Sequence, residues 1–478
     1  MSKPNVVFII ADQHRWDFVG CRDGGRTSTP SLDRLVERGT AFDHAYCTSP
    51  LCCPSRAAIA SGRYGMNSGC FTNLHQLPPG APGFVPQLRA AGYHTCAIGK
   101  THMEIHAYDS NLCGQAHRAY MDSLGWDENH EIAGNGMLKT GIVCAYSKFL
   151  EESGKLDEVL EFYRQFGYFM DKTRPSRPGF SPGEFPLEER YQETPFVGNR
   201  TVQWLRDYNR DQPFFLHVGF AAPHSPIEPF PAYLDRYRDR PEPDPLGDTP
   251  PAPHIADGRR GYRAMISQLD AYVGEILAAL EQKRLADNTI VIYTADHGDM
   301  AGDYGRLGKT CFFEGSMRVP LICAGPGVKA RETVTALVEL IDLGATVCEL
   351  CDVQSQPLDQ GRSLAPLLAG PATEHRNTVY AEMGCDRMIR DDRYKLMWGD
   401  PKSDTRKLGR LHLDKPVTVP ASPPRLYDLA EDPTESRNLA DDPASREVLL
   451  AMLGKLLARI NENTQTQPFL SRGEYRPL

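Results

Sequence analysis

Cys52 is followed by Pro54 two residues on and by Arg56 four residues on, and the run Ala57-Ala58-Ile59-Ala60 then reads as a helix. Proline is tolerated in a helix's first turn, where its missing N–H would be unsatisfied anyway. Cys52 therefore sits near the positive end of that helix, and Arg56, one turn along, adds a fixed cation. A thiol so placed is acidic and chemically competent. A small buried hydrophobe would explain the cysteine but not the proline and arginine beside it. Other polar groups follow directly on apolar runs: Asp12-Gln13, Lys100 with His102, His224, and Asp296-His297, with Lys309 after Gly308. One aspartate after a strand usually caps a helix, but this many deliveries fit a shared site better than scattered caps. Asp12, Gln13, Asp296 and His297 make a mostly oxygen donor set with one imidazole, suited to a divalent metal. Arg56, Lys100, His102, His224 and Lys309 add cations and acid/base groups. The combination suits a tetrahedral oxyanion ester, whose outer oxygens the metal and cations hold while an acid protonates the leaving oxygen.

The elements that must position these residues alternate in the α/β manner. Asn5–Ile10 reads as a central strand, apolar on both faces, and Asp12-Gln13 then lies at the carboxyl edge of the sheet, where α/β ligands bind. Residues 29–39 read as a helix with proline at its start and glycine as its stop. Residues 40–46 form a strand leading into the Cys52 loop, 84–91 a helix, 94–98 a strand ending at Lys100, 213–219 a strand opening onto His224, and 288–294 a strand ending at Asp296. A helix over 201–208 and a long one over 261–283 lie between. Residues 104–190 break the rhythm, with one helix near 157–166, and read as an insertion shaping substrate access. From residue 373 short strands near 378–383, 387–390, 394–398 and 425–429 and a closing helix over 445–461 imply a small antiparallel α+β subdomain, so the catalytic domain is expected over 1–372 and the subdomain over 373–478.

Composition narrows the classes. The 478 residues carry a net charge of −9, which argues against nucleic acid as a partner. No stretch approaches a membrane span, and the N-terminal apolar run meets an aspartate too soon for a signal peptide, so a cytoplasmic enzyme is expected. Thirteen cysteines at irregular spacing argue against a disulfide framework, and the single pair Cys348–Cys351 reads as structural cysteines on a helix. Cys52 lacks the arginine six residues on that a tyrosine phosphatase needs, because Ala58 stands there. His102-Met103-Glu104-Ile105-His106 has its glutamate in the wrong place for a zinc protease.

Cys52-Cys53-Pro54-Ser55-Arg56 resembles the C-x-P-S-R signature of the type I sulfatases, of the alkaline phosphatase superfamily. The resemblance extends through Asp12-Gln13, Gly99-Lys100-Thr101-His102, Pro223-His224, Asp296-His297-Gly298, Gly308-Lys309 and the closing segment from Arg425 to Leu439. It implies a large, mixed but mostly parallel sheet sandwiched by helices, with a small C-terminal subdomain. It also implies conversion of Cys52 to formylglycine by a formylglycine-generating enzyme, with Asp12, Gln13, Asp296 and His297 sharing one divalent metal with that residue. Arg56 and Lys100 would fix the formylglycine, His102 would take the proton that lets a covalent sulfate ester collapse, Lys309 would grip the sulfate, and His224 would serve the leaving oxygen. Asn73 either faces the site or forms a turn.

Gln13 and His297 stand where many sulfatases carry Asp and Asn. The site thereby loses a negative charge and gains a nitrogen ligand, which leaves Mn²⁺ and Mg²⁺ open beside the family's Ca²⁺. This version resembles choline-sulfatase-like and phosphonate-monoester-hydrolase-like relatives. The expected substrate is a sulfate ester, small or saccharide, hydrolysed by S–O cleavage. A phosphonate monoester or phosphodiester is the alternative, disfavoured by the Lys100–His102 pair. Aromatic residues such as Tyr163, Phe166, Tyr168 and Phe169 are candidates for holding a quaternary ammonium. The oligomeric state is open, with a homo-oligomer one option.

Overall fold

Asn5–Asp12 forms strand β1 with every residue buried. Its side chains face apolar neighbours on both sides, and each large aliphatic so buried contributes about 1.5–3 kcal/mol relative to exposure. The computed structural model describes residues 3–106, 109–134, 136–164, 180–247, 251–354, 360–370, 372–399 and 423–465. Around β1 lie β2 (Gly39–Tyr46), β3 (His94–Gly99), β4 (Glu128–Glu131), β5 (Phe214–Pro223), β6 (Thr289–Ala295), β7 (Leu321–Ala324) and β8 (Glu332–Glu339). They form one sheet in the order β4-β3-β5-β1-β6-β7-β2-β8. All neighbours run parallel except β7, which is antiparallel to both β6 and β2. The carboxyl ends of the other seven strands therefore share one edge, with β1 at the centre.

Two groups of helices pack on this sheet. The long helix His254–Gln282 lies against Glu193–Asp207, Pro30–Arg38 and β5. Phe84–Ala90 packs on β3, on Asp342–Leu350 and on the helix Cys52–Ser61. The C-terminal strands β9 (Val379–Met383), β10 (Asp386–Arg390), β11 (Tyr394–Trp398) and β12 (Arg425–Asp428) make a separate antiparallel sheet. The helix Arg446–Gln465 covers it, with Met452 and Leu456 buried among Tyr380, Ile389, Leu396 and Leu426.

The expected large mixed sheet and small antiparallel subdomain are both present. Three strands escaped the sequence reading. β4 arises inside the 104–190 insertion, so that segment extends the sheet as well as flanking it, and it holds the helices Gln115–Ser123, Ala145–Glu152 and Leu156–Arg164 rather than one. β7 has only four residues after Pro320, and β8 mixes buried and exposed positions without strict alternation. The helices at 201–208 and 261–283 begin earlier, at Glu193 and His254, because buried residues continue their inner faces toward the N-terminus.

Candidate active site

Cys52 is the first residue of the helix Cys52–Ser61, whose backbone enters in extended form at Leu51 and stops at left-handed Gly62. Its Sγ lies 3.0 Å from Lys309 Nζ, 3.3 Å from His297 Nε2 and 3.6 Å from Asp12 Oδ1. Burial and Asp12 push the thiol pKa up, but Lys309, Lys100 and His297 outweigh them and bring it down to about 6. The expected acidity is present, with flanking ammonium groups as its main source. Arg56 reaches past the thiol: its Nε donates to Asp296 Oδ2 at 2.7 Å and its Nη1 to the Lys100 carbonyl at 2.7 Å, wholly inside the protein.

Asp12 and Asp296 are completely buried, brought side by side because β1 and β6 pair in register up to Ala11 and Ala295. Asp296 Oδ1 accepts from the Gln13 amide (3.0 Å) and the His297 amide (2.9 Å), which locks the two strand ends together. His297 Nδ1 faces the Gly298 carbonyl at 3.0 Å. A carbonyl only accepts, so Nδ1 carries a hydrogen and Nε2 is the nitrogen turned toward Cys52, Asp12 and Asp296. Ligand atoms of Asp12, Cys52, Asp296 and His297 all lie within 4.8 Å of one another. Two buried like charges and an imidazole nitrogen aimed at the same point fit a divalent cation, which would displace the proton from Nε2. Gln13, at a φ of 72°, presents Oε1 to Lys309 Nζ at 2.8 Å, while its Nε2 donates to Asp299. Asp299 was not singled out in the sequence; it lies in the Asp296-His297-Gly298-Asp299 run, but no spacing rule marks it as the group that orients Gln13.

Lys100 Nζ contacts Asp12 Oδ2 at 2.5 Å. Burial raises the Asp12 pKa, yet Lys100, His224, Lys309 and Arg56 hold it well below the usual carboxylate range. His102 is buried beside Lys100, and burial, reinforced by Lys100 and Arg56, drops its pKa well below the ordinary imidazole value, leaving it a neutral base. His224 Nδ1 faces the Ser225 carbonyl at 2.6 Å, so Nδ1 bears the hydrogen there too. Burial and Lys309 lower the His224 pKa to about 4. Asn73 accepts from the Cys53 amide at 3.0 Å, a contact across 20 residues that caps the signature helix next to Cys52. Cys53 is turned away, its Sγ on the His75 carbonyl at 3.0 Å. Cys348 and Cys351 are buried at the end of the helix Asp342–Leu350, as structural cysteines should be. Of the aromatic candidates, Tyr163 is buried against Phe162, while Phe166, Tyr168 and Phe169 lie outside the described residues.

The converging edge can be set beside known proteins. A family model described as Sulfatase matches residues 4–353, and one described as N-sulphoglucosamine sulphohydrolase, C-terminal, matches 302–414. The chain is 26% identical to a choline-sulfatase of Rhizobium meliloti (strain 1021), covering 92% of this chain and 83% of that protein. It is 27% identical to an arylsulfatase of Clostridium perfringens, covering 93% and 92%. Its fold is similar to the phosphonate monoester hydrolase of Agrobacterium radiobacter, with a TM-score of 0.77, 23% identity, and coverage of 100% and 99%. It is also similar to a protein solved in complex with its substrate D-glucosamine-2-N,6-O-disulfate, with a TM-score of 0.72, 19% identity, and coverage of 98% and 99%. With the family model spanning the stretch that contributes every candidate site residue, the chain belongs to the sulfatase family and is a sulfuric ester hydrolase.

Proposed function

We propose that this site cleaves the S–O bond of a sulfate monoester, using formylglycine made from Cys52 and one divalent metal held by Asp12, Gln13, Asp296 and His297. The observation that carries the reading is the position of Cys52: first residue of a helix, with a lysine, a histidine and an aspartate all within 3.6 Å of its sulfur. When present, the metal and the hydrated aldehyde supply charge neutralisation at sulfate and a hydroxyl nucleophile. The chain's own groups do the rest. Lys309 and Lys100 neutralise the sulfate oxygens and hold Asp12 ionised. Arg56 fixes Asp296 and the turn that carries Lys100. His102, neutral at physiological pH, takes the hydroxyl proton that must leave before sulfate departs. His224 faces the leaving oxygen; with Nδ1 occupied by Ser225, it hands over a proton from Nε2, and an arriving sulfate anion raises its pKa toward that protonated state.

The mixed donor set leaves Ca²⁺, Mn²⁺ and Mg²⁺ as candidate ions. Thirteen cysteines at irregular spacing suit a reducing, cytoplasmic setting, and no helix among the described residues is long and apolar enough to cross a membrane. A small sulfate ester or a saccharide late in its breakdown fits that setting. The competing phosphonate activity is tested by assaying one enzyme preparation on an aryl sulfate and the matching aryl phosphonate monoester. The account expects the sulfate to have the larger kcat/KM; a large preference for the phosphonate would overturn it.

A further inference from the structure

Glu131, the last residue of β4, is 1% exposed and plays no part in the site described above. It faces the end of β3, where Gly99 is its register partner. Its carboxylate accepts from the Thr101 amide at 2.8 Å, the Thr101 hydroxyl at 2.6 Å and the His102 amide at 3.1 Å. The donors are consecutive in the chain and belong to the turn that presents Lys100 and His102. His102 itself is held at a φ of 54°. That left-handed conformation is disfavoured for a non-glycine residue, and it persists only where the surroundings over-determine it. Glu131 does so by gathering both amides onto one oxygen.

A second constraint acts on the ring. His106 stacks on His102 with centroids 4.6 Å apart and planes 26° apart. His106 Nε2 also lies 3.7 Å from Glu131 Oε1. Among the described residues His102 Nδ1 has no hydrogen-bond partner. The ring is therefore aimed by its backbone and by the stack, with no direct hydrogen bond at Nδ1 to hold it. Loss of the backbone clamp would release its orientation.

We propose that Glu131, seconded by His106, is the positioning residue for His102, fixing the Thr101–His102 backbone so that the imidazole meets the hydroxyl proton it removes. The inference rests on His102 being the base of the proposed reaction. Glu131→Met keeps the side chain's length and burial but accepts no hydrogen bond. It should lower kcat about 100-fold and leave KM within about two-fold, because Glu131 holds only Thr101 and His102, while the substrate-holding Lys100 is fixed separately by Asp12 at its Nζ and by Arg56 at its carbonyl. Glu131→Gln keeps an oxygen for the two amides and turns its NH₂ to the Thr101 hydroxyl, so it should recover most of the lost kcat. Unchanged kcat in Glu131→Met, or equal impairment in Glu131→Gln, overturns the proposal. Should Glu131→Met fail to fold, Thr101→Val carries the test: a kcat about ten-fold lower at unchanged KM supports the clamp, and an unaltered kcat contradicts it.

A readout independent of turnover is the imidazole nitrogen spectrum of His102, recorded on protein whose Cys52 is left unmodified. One set of His102 ring-nitrogen signals in the wild type, shifted or broadened in Glu131→Met, supports the clamp; identical spectra overturn it. If the wild type hydrolyses no sulfate ester while the His102 spectrum still responds to Glu131→Met, the reaction assignment fails and the positioning stands.

Discussion

At the scale of single residues, two adjacent cysteines have opposite environments. Cys52 meets Lys309, His297 and Asp12, and its pKa falls to about 6. Cys53 gives its amide to Asn73 and its thiol to a carbonyl, and its neighbour Cys70 with burial pushes its pKa well above the ordinary thiol value. Cys52→Ser should therefore abolish normal turnover, lowering kcat by at least about 1000-fold, the scale seen when a nucleophile is removed. Cys53→Ala should leave kcat within a few-fold and cost only packing. Steady-state kinetics on an aryl sulfate separates the two. Asp12, Lys100, His224 and Asp296 were legible because each follows an apolar strand, whereas Cys52, Arg56 and Lys309 stood out through the signature and the family resemblance rather than through that pattern. Glu131 and Asp299 were not legible. They act through other site groups, across 30 residues in the case of Glu131 and Thr101, and the short half-polar strand Glu128–Glu131 gives no sign of what its last residue faces.

At the scale of elements, the site depends on how strands end. Gly219 pairs with Gly99, and a Cβ on Gly219 would come 2.1 Å from the Lys100 carbonyl, the same oxygen that Arg56 holds. The close approach of β3 and β5 thus sets where Lys100 leaves the sheet. A similar joint closes β8 onto the helix Asp342–Leu350. Asp342 accepts from the amides of Glu339 (3.1 Å) and Arg362 (2.7 Å), from His375 Nε2 (3.0 Å) and from the Arg376 guanidinium. Burial raises its pKa, but Arg376 and His375 more than offset this and hold it below the ordinary carboxylate value. A carboxyl whose folded pKa is depressed stabilises the fold above its unfolded pKa, about 3.9. That contribution is lost as pH falls through the lower folded value. Asp342→Asn should destabilise the protein by about 3–5 kcal/mol, because it leaves a buried arginine without its counter-ion. It should also flatten the acid limb of the stability curve below about pH 4. Thermal melts of both proteins across acidic pH check this; parallel curves would contradict it. Strands with continuous apolar runs were readable, whereas β7 and β8 depended on pairing partners far away in sequence.

At the scale of the whole molecule, the C-terminal sheet closes the back of the site. The Glu382 amide of β9 donates to the Thr48 carbonyl at 3.0 Å, and its carboxylate accepts from the Met66 amide at 2.6 Å, so β9 grips both flanks of the signature helix. Lys395 of β11, fully buried, joins Glu314 (2.9 Å) to Glu435 (2.8 Å) and ties the segment after Lys309 to the same subdomain. The change of texture near residue 373 was visible in the sequence, but the grip on Thr48 and Met66 was not, since neither residue carries a motif. Between these flanks Cys52, packed against Asp12, His297 and Lys309, is 2% exposed. On the proposed function, a maturation enzyme would have to meet this segment while it is extended, before the sheets close, and in the folded chain Arg56 holds Asp296 and the Lys100 carbonyl. The direct test is mass spectrometry of the peptide containing Cys52, from protein produced together with a competent formylglycine-generating enzyme and assayed in the same preparation. The account predicts that the Cys52 thiol is replaced by an aldehyde and that activity rises with the converted fraction. Full sulfatase activity in protein whose Cys52 is entirely unmodified thiol would contradict it.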